Sequence, residues 1–378
     1  MANKKIRVGI VGLTPGRSWA ATAHLPGLAL LRDHYEVAGV ANSSADSAKA
    51  AAQACGIPRH FDDAAAMAAS PHIDLVVVTV KVPHHLSLVT TALRAGKAVY
   101  CEWPLGNGLE EARQLARLQG LQGLPAVIGT QARLSPVIQH MAHLVHSGEI
   151  GELLSSTIVG TGLAWGASTA PYNAYLYDKA NGATMLSIPV GHTLAAVRDV
   201  LGDIASVSAM LSTRRRQIDV VADPPSPGPP ERLAATSPDD IVIAAELASG
   251  VPLAIRYCGG TPPGTGLLWE IHGTRGSLQL TGPGGHTQLV PLALKCARGP
   301  AAVLEPEAIP DKWCEGLPND PVSGNLARLY QRLAKRLNGQ DVALLPTFDD
   351  AVALHRIIDA VETSARDGRR CAIAPVMV

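Results

Sequence analysis

The sequence predicts an α/β fold, a doubly wound parallel sheet followed by an α+β domain built on a large, mainly antiparallel sheet. Three observations predict it. Short Val/Ile-rich runs alternate with Ala/Leu-rich stretches over the first third of the chain, a glycine-rich turn follows the first run, and the rhythm changes after about residue 130. Strand–helix alternation is the pattern of a parallel sheet with crossover helices, whereas period-2 runs broken by Gly/Pro turns are the pattern of an antiparallel one.

The strands of the first part are read at "IRVGIVGL" (6–13), "YEVAGVAN" (35–42), "IDLVVVTV" (73–80), "KAVYCE" (97–102) and "PAVIGT" (125–130). Between them "ADSAKAAAQACG", "HLSLVTTALRAG" and "GLEEARQLARLQG" have helical composition, and glycine closes them as it often closes a helix. One helix, "SPVIQHMAHLVHSG", opens the second part. The strand-like runs "LLSSTIVGTG", "ASVSAMLSTRR", "DIVIAAELASG", "PLAIRYCGG" and "LLWEIHGTRGSLQLTG" follow. The Pro-rich segment 223–240 reads as a mobile surface loop. A last helix, "FDDAVALHRIIDAVETSARDG", opens on acids and closes on Arg and Gly. The expected domains are 1–130 and 131–378, with the C-terminal helix (about 347–367) a candidate to pack back on the first.

The chain has 378 residues, more than one ordinary core accommodates, and its formal net charge is zero. That balance gives no electrostatic footprint for nucleic acid or an anionic membrane. Its apolar runs are too short to span a bilayer, and "MANKKIRVGIVGL" does not read as a secretion signal. Six cysteines are scattered without C-x-x-C spacing. Reduced thiols in a cytoplasmic protein are therefore expected, with no disulfide framework and no metal site.

"VGIVGLTPGRSWAATAHLPGL" leaves the first strand and opens the first helix. Gly9 and Gly12 frame a tight turn, Thr14 stands where a second glycine is usual, and Pro15, Gly16 and Arg17 lengthen the loop. Backbone N–H groups at a helix N-terminus cradle phosphate, so this turn marks a Rossmann-type dinucleotide site. Gly12, Leu13, Thr14, Ser18 and Trp19 are its candidate cofactor residues, with Trp19 either anchoring the loop or packing in the core. The second strand ends in Asn42 and Ser43. An acid there would favour the ribose of NAD; neutral groups tilt the choice toward NADP and leave NAD open. The same residues, with Ser44, would equally make a turn and a helix cap.

The segments "LRAGKAVYCEWPL", "GEIGELLSSTI", "IHGTRGSLQLTG" and "LPTFDDAVALHRIIDAVETSARDGRR" resemble the glucose–fructose oxidoreductase/inositol dehydrogenase/MocA family over nearly the whole chain. "GLTPGRSWAATAHLPGL", "YLYDKANGATMLSIPVGHT" and "SPDDIVIAAELASG" are similar to the branch containing the yeast galactose-regulon repressor. The resemblance implies a Rossmann domain, then a domain with an open-faced sheet that often mediates oligomers, so a homodimer or higher homo-oligomer is expected. It also implies a small-molecule substrate and a nicotinamide dinucleotide. The family's typical E-K-P is Glu102-Trp103-Pro104 here. The family's Asp four residues before a His becomes Ile188, beside Ser187, while His192 is kept. An indole donates one hydrogen bond and does not titrate, so Trp103 can wall a pocket but cannot replace the lysine as acid or base.

His192 is the foremost remaining proton carrier, against the reading of an ordinary core histidine. Lys81, just past the third run, is the second candidate, and a solvated loop lysine is its alternative. Tyr175, among Tyr172, Tyr177 and Asp178, is the third catalytic candidate; its neighbours could bind a polyol hydroxyl or simply pack. Val80, Lys81, His85, Glu102, Trp103 and Gln131 complete the cofactor set. Trp103, Arg133, Trp165, Tyr172, Tyr177, Asp178 and His192 form the substrate set. Two functions remain open: an NAD(P)-dependent oxidoreductase acting on a sugar, polyol or related small molecule, and a non-catalytic dinucleotide-binding sensor that docks a protein partner.

Overall fold

The computed structural model describes residues 5–222, 229–264, 266–299 and 302–374. Two compact units divide the chain. One comprises Met1–Leu134 with Leu317–Val352, the other Ser135–Gly316 with Ala353–Val378.

The first unit holds a six-stranded parallel sheet: β1 (Ile6–Val11), β2 (Tyr35–Ala41), β3 (His60–Phe61), β4 (Leu75–Val78), β5 (Ala98–Glu102) and β6 (Ala126–Gly129). Its order is β3-β2-β1-β4-β5-β6, the doubly wound arrangement whose direction of winding reverses between β1 and β4. The central strands are apolar throughout, as strands covered on both faces must be: Val8, Ile10, Val40, Val77 and Val99 have no exposed surface. Helices Ala45–Cys55, His85–Arg94 and Leu109–Gln122 fall where composition placed them. The helix Ser323–Leu337 also joins this unit, burying Leu326, Leu329, Tyr330 and Leu333 in the core under β1 and β2. A single division of the chain near residue 130 does not anticipate that return, because its apolar spacing at i, i+3, i+4 and i+7 lies almost two hundred residues downstream.

The second unit is built on a nine-stranded sheet containing β7 (Leu153–Thr161), β9 (Ile204–Ser212), β12 (Asp240–Leu247), β13 (Pro252–Cys258), β14 (Leu267–Gly273), β15 (Gly276–Gly282), β16 (Ala293–Arg298), β17 (Glu305–Pro306) and β18 (Cys371–Ala372). All its pairs are antiparallel except β7 with β13. Alternation puts Ile158, Ile243, Ile255, Tyr257, Trp269 and Leu280 on one buried face, while Thr157, Met210, Val242 and Ala254 stay exposed on the other. One open face is the expected architecture.

A smaller sheet joins β8 (Ser168–Thr169), β10 (Gln217–Val220) and β11 (Glu231–Ala234). The last of these corrects the reading of 223–240 as a loop throughout. Past Pro230 the chain regains the N–H groups that proline lacks and pairs with β10. Residues 223–228 of that segment lie outside the described residues. Among the described residues no helix is long and apolar enough to cross a membrane.

Candidate functional site

The reversal between β1 and β4 is where α/β sheets of this order bind ligands. Gly12 follows β1 at φ +97°, and a Cβ there would lie 2.6 Å from Val80 Cγ1. Both the backbone and the neighbour demand glycine. The next residue, Leu13, is buried, and Asn42 grips it twice: the Leu13 N–H donates to Asn42 Oδ1 at 2.9 Å, and Asn42 Nδ2 donates to the Leu13 carbonyl at 2.9 Å. Asn42 Nδ2 also donates to the Ser47 carbonyl at 3.1 Å, so its amide braces the turn. Ser43 remains exposed at the end of β2, and Ser44 caps the next helix by accepting the Ser47 N–H. The lengthened loop closes on itself: Thr14 N–H donates to Ser18 Oγ at 2.9 Å, and Ser18 N–H returns to the Thr14 carbonyl at 3.1 Å. Trp19 packs against the core, and its indole N–H is buried with no hydrogen-bond partner among the described residues.

On the other side of the turn, Lys81 is exposed at the start of the helical turn Val82–His84. His85 is buried, with Nε2 2.9 Å from the Val80 carbonyl and Nδ1 2.8 Å from the Pro104 carbonyl. Burial pushes its pKa down while the two carbonyls, both acceptors, pull the other way, and the ring is a strut between the segments that follow β4 and β5. Trp103 is 5% exposed, and its bond to Pro104 is cis.

Glu102 ends β5 inside a buried polar chain. Its Oε1 lies 3.0 Å from His24 Nε2, and Oε2 accepts from Gln131 Nε2 at 3.3 Å. Gly129 makes room, since a Cβ there would sit 2.6 Å from that carboxylate. His24 Nδ1 is 2.7 Å from the Tyr330 hydroxyl. The carboxylate only accepts, so Nε2 carries a proton toward Glu102, and burial raises the Tyr330 pKa and keeps the phenol protonated beside Nδ1. Tyr35 donates to the Tyr330 carbonyl at 2.7 Å, and Tyr100 stacks on the Tyr330 ring at 5.1 Å. Arg133, 8% exposed, pairs with Asp350 at 3.2 Å.

In the second unit a π-type turn, Leu186–Val190, runs into the helix Gly191–Leu201. His192 lies in its first turn, 4% exposed, with Nδ1 lacking a hydrogen-bond partner among the described residues. Burial, reinforced by His286, pushes its pKa down to about 3. Ile188 sits in the π-type turn, and Ser187 beside it donates to the Gly182 carbonyl at 2.6 Å.

Thr193 Oγ1 is 2.8 Å from the Tyr257 hydroxyl, which donates to the Gly285 carbonyl at 3.0 Å. His286 donates from Nε2 to the Gly162 carbonyl at 2.7 Å, so its Nδ1 accepts from Gln288 Nε2 at 3.3 Å. Trp165 stacks on that imidazole, with centroids 6.1 Å apart and planes 15° from parallel. Its φ of +59° is strained for so bulky a residue. Gly259 permits the conformation, since a Cβ there would lie 2.1 Å from the Trp165 carbonyl oxygen. Trp165 Nε1 donates to the Leu176 carbonyl at 2.9 Å.

The structure thus links two sequence candidates, Trp165 and His192, through Thr193, Tyr257, Gly285 and His286. The tyrosine segment divides. Tyr172 is 56% exposed, Tyr175 is half-buried with its pKa raised by burial, and Tyr177 is buried with its hydroxyl donating to the Ser168 carbonyl. Asp178 is exposed and serves its own turn, accepting from the Ala180 N–H and the Thr236 hydroxyl. Sequence reasoning did not find His24, Tyr330, Tyr257, His286 or Gln288. Scarcity was the available signal: of seven tyrosines in the chain, Tyr35, Tyr100 and Tyr330 gather at one place.

Residues 6–129 match the oxidoreductase family with an NAD-binding Rossmann fold, and residues 136–282 match the Gal80p C-terminal domain. The chain is 31% identical over 375 residues to dehydrogenase aclE of Aspergillus oryzae, covering 97% of this chain and 98% of the relative. It is 27% identical over 448 residues to the galactose/lactose metabolism regulatory protein GAL80 of Kluyveromyces lactis, covering 100% of this chain and 97% of the relative. Among solved structures, a super-repressor mutant of Gal80p from Saccharomyces cerevisiae superposes with a TM-score of 0.88 at 25% identity, covering 98% of each chain.

Proposed function

The chain belongs to the Gfo/Idh/MocA oxidoreductase family, in a branch resembling Gal80, and on that premise we propose that it is an NAD(P)-dependent oxidoreductase acting on a hydroxyl or carbonyl of a sugar, polyol or related small molecule. The observation that carries the reading is the built turn at Gly12. Its positive φ, its approach to Val80 and the double grip of Asn42 on Leu13 preserve the shape a dinucleotide backbone needs. The nicotinamide group, when bound, carries the hydride.

The loop from Gly12 to Ser18 borders the pyrophosphate, with Trp19 supporting it; the Leu13, Thr14 and Ser18 N–H groups are engaged by Asn42 and within the loop, so they hold its shape. Ser43 meets the adenosine ribose, and the lack of an acid beside it favours NADP over NAD. Asn42 acts there by bracing the turn. Val80, Lys81, Glu102, Trp103 and Gln131 frame the nicotinamide end, while His85 fixes the backbone around Val80 and Pro104. His192 is neutral at pH 7 and takes up the substrate's hydroxyl proton at Nδ1; a pKa of about 3 makes it a weak base. Tyr175, kept protonated by burial, and Lys81 are the alternative proton carriers. Trp165, Tyr172 and Tyr177 supply aromatic surface for the substrate, Arg133 and Asp178 polar groups. The working form is a cytoplasmic homo-oligomer.

One specific feature favours a second reading, a non-catalytic dinucleotide sensor that docks a protein: Trp103 and Ile188 stand where a titrating pair is expected. Separate calorimetric titrations with NAD and NADP, followed by a sugar and carbonyl panel read by nicotinamide absorbance, decide between the two. The enzyme reading expects turnover that falls sharply in His192→Ala. Dinucleotide binding without turnover across the panel sinks it, and any hydride transfer at a useful rate sinks the sensor reading.

A further inference from the structure

We propose that the second unit carries a separate binding site for a small molecule with one anionic head group, a carboxylate or a phosphate. The site is a half-open pocket of about 600 Å³ on the open face of the nine-stranded sheet, within the usual size range of small-ligand pockets.

Its floor is the end of β7 against the end of β13, where Val159 pairs with Arg256 and Thr161 with Cys258. Strand alternation places these four side chains on the pocket face. Gly160, between them, belongs to the opposite face, where a Cβ would run into the Tyr257 ring at 2.3 Å. The floor is therefore bare backbone at that point. Pro262 and Pro263 add an apolar wall.

The charge comes from Arg214, Arg215 and Arg256, set against Asp239 and Asp240. Asp239 is 4% exposed and accepts the backbone N–H groups of Arg214 and Arg215 at 2.6 and 2.9 Å, which fixes the turn after β9. It also takes the Arg215 guanidinium at 3.1 Å, and Asp240 takes that of Arg256 at 3.2 Å. Among the described residues the Arg214 guanidinium has no carboxylate partner, so the pocket keeps one uncompensated positive charge. Guanidinium groups match carboxylate and phosphate oxygens with paired donors.

A second, independent feature points to a ligand. Thr161 is 4% exposed, and its hydroxyl is buried with no hydrogen-bond partner among the described residues. Its backbone is satisfied, the N–H by the Gly266 carbonyl and the carbonyl by the Gly285 N–H, both at 2.9 Å. A buried hydroxyl left unsatisfied, on a residue of the same lining as Arg214, is what a polar ligand head would complete. The pocket borders the Trp165–His192 cluster through Gly259, which packs against the Trp165 carbonyl, but its lining includes neither Trp165 nor His192.

The test is calorimetric titration of the full chain with inorganic phosphate and, separately, with propionate, in chloride of matched ionic strength. Saturable binding of at least one anion is expected, and which anion binds identifies the head group. Arg214→Gln should weaken it by at least about tenfold and Thr161→Val by about threefold. The unfolding midpoint of both variants should stay unchanged, because neither side chain holds the fold together. Absence of saturable binding overturns the proposal. So does binding of undiminished strength in Arg214→Gln, which would place the anion elsewhere. A change in self-association alone in Arg214→Gln would make the pocket an interface between copies and also overturn it.

Discussion

His24 in the first unit ends a π-type helical turn and His192 in the second lies just past one, and both are almost wholly buried, yet their ring nitrogens meet different surroundings. His24 sits between a carboxylate and a phenol, each nitrogen within hydrogen-bond distance of a partner. His192 has an orphaned Nδ1, and its nearby titrating neighbour is another histidine. One ring is a fixed link in a polar chain; the other is desolvated without compensation. A histidine desolvated in this way is the candidate for the ligand contact that the proposed function assigns to it.

The largest effect that could break this comparison is on stability. His24→Leu removes the ring partner of both the Tyr330 hydroxyl and the Glu102 carboxylate, which keeps its Gln131 contact, and should cost about 3 kcal/mol. His192→Leu removes an unsatisfied polar atom and should change stability by less than about 1 kcal/mol. Chemical denaturation of the two variants measures both, and equal losses would mean that the rings play the same role.

Acid sharpens the contrast. The folded pKa values of His192 and His286 are pushed down to about 3 and about 4 from an ordinary 6.5. The unfolded chain therefore binds protons first as pH falls. Stability is fully present above about pH 6.5 and is lost progressively toward the folded values, at about 1.4 kcal/mol per pH unit for each ring. By about pH 5 each should have cost about 2 kcal/mol. Unfolding midpoints measured across that range should fall less steeply in His286→Gln than in the wild type.

The dinucleotide turn supplies the next test, because the first unit fixes backbone as firmly as it fixes His24. Gly12→Ala combines a left-handed backbone with a Cβ against Val80, and should weaken dinucleotide binding by about 2 kcal/mol, about thirtyfold. Unaltered affinity would remove this turn from the cofactor site. The smallest expected effect is Asn42→Ala, which frees Leu13 and should cost about 1 kcal/mol in the same titration.

Much of this was legible before any coordinates. The strands of the parallel sheet follow from Val/Ile runs because a strand buried on both faces has little chemical freedom. Gly12 follows from the turn it must make. The helix Ser323–Leu337 carried a readable apolar spacing, but nothing local says which sheet it covers. The segment after Pro230 looked like loop by composition, yet pairing with β10 makes it a strand, since strand pairing depends on a partner and not on propensity alone.

The sequence by itself determined the two-part fold, the dinucleotide turn and the conspicuous Trp103, because each rests on periodicity or on contiguous residues. Only tertiary structure decided that Asn42 braces Leu13, that Glu102 leans on His24 and Tyr330, and that Trp165 lies on His286. Those partners are separated in the chain by between 29 and 306 positions. Their hydrogen bonds form where helices and strands distant in sequence converge, and no local pattern encodes which residues will meet there.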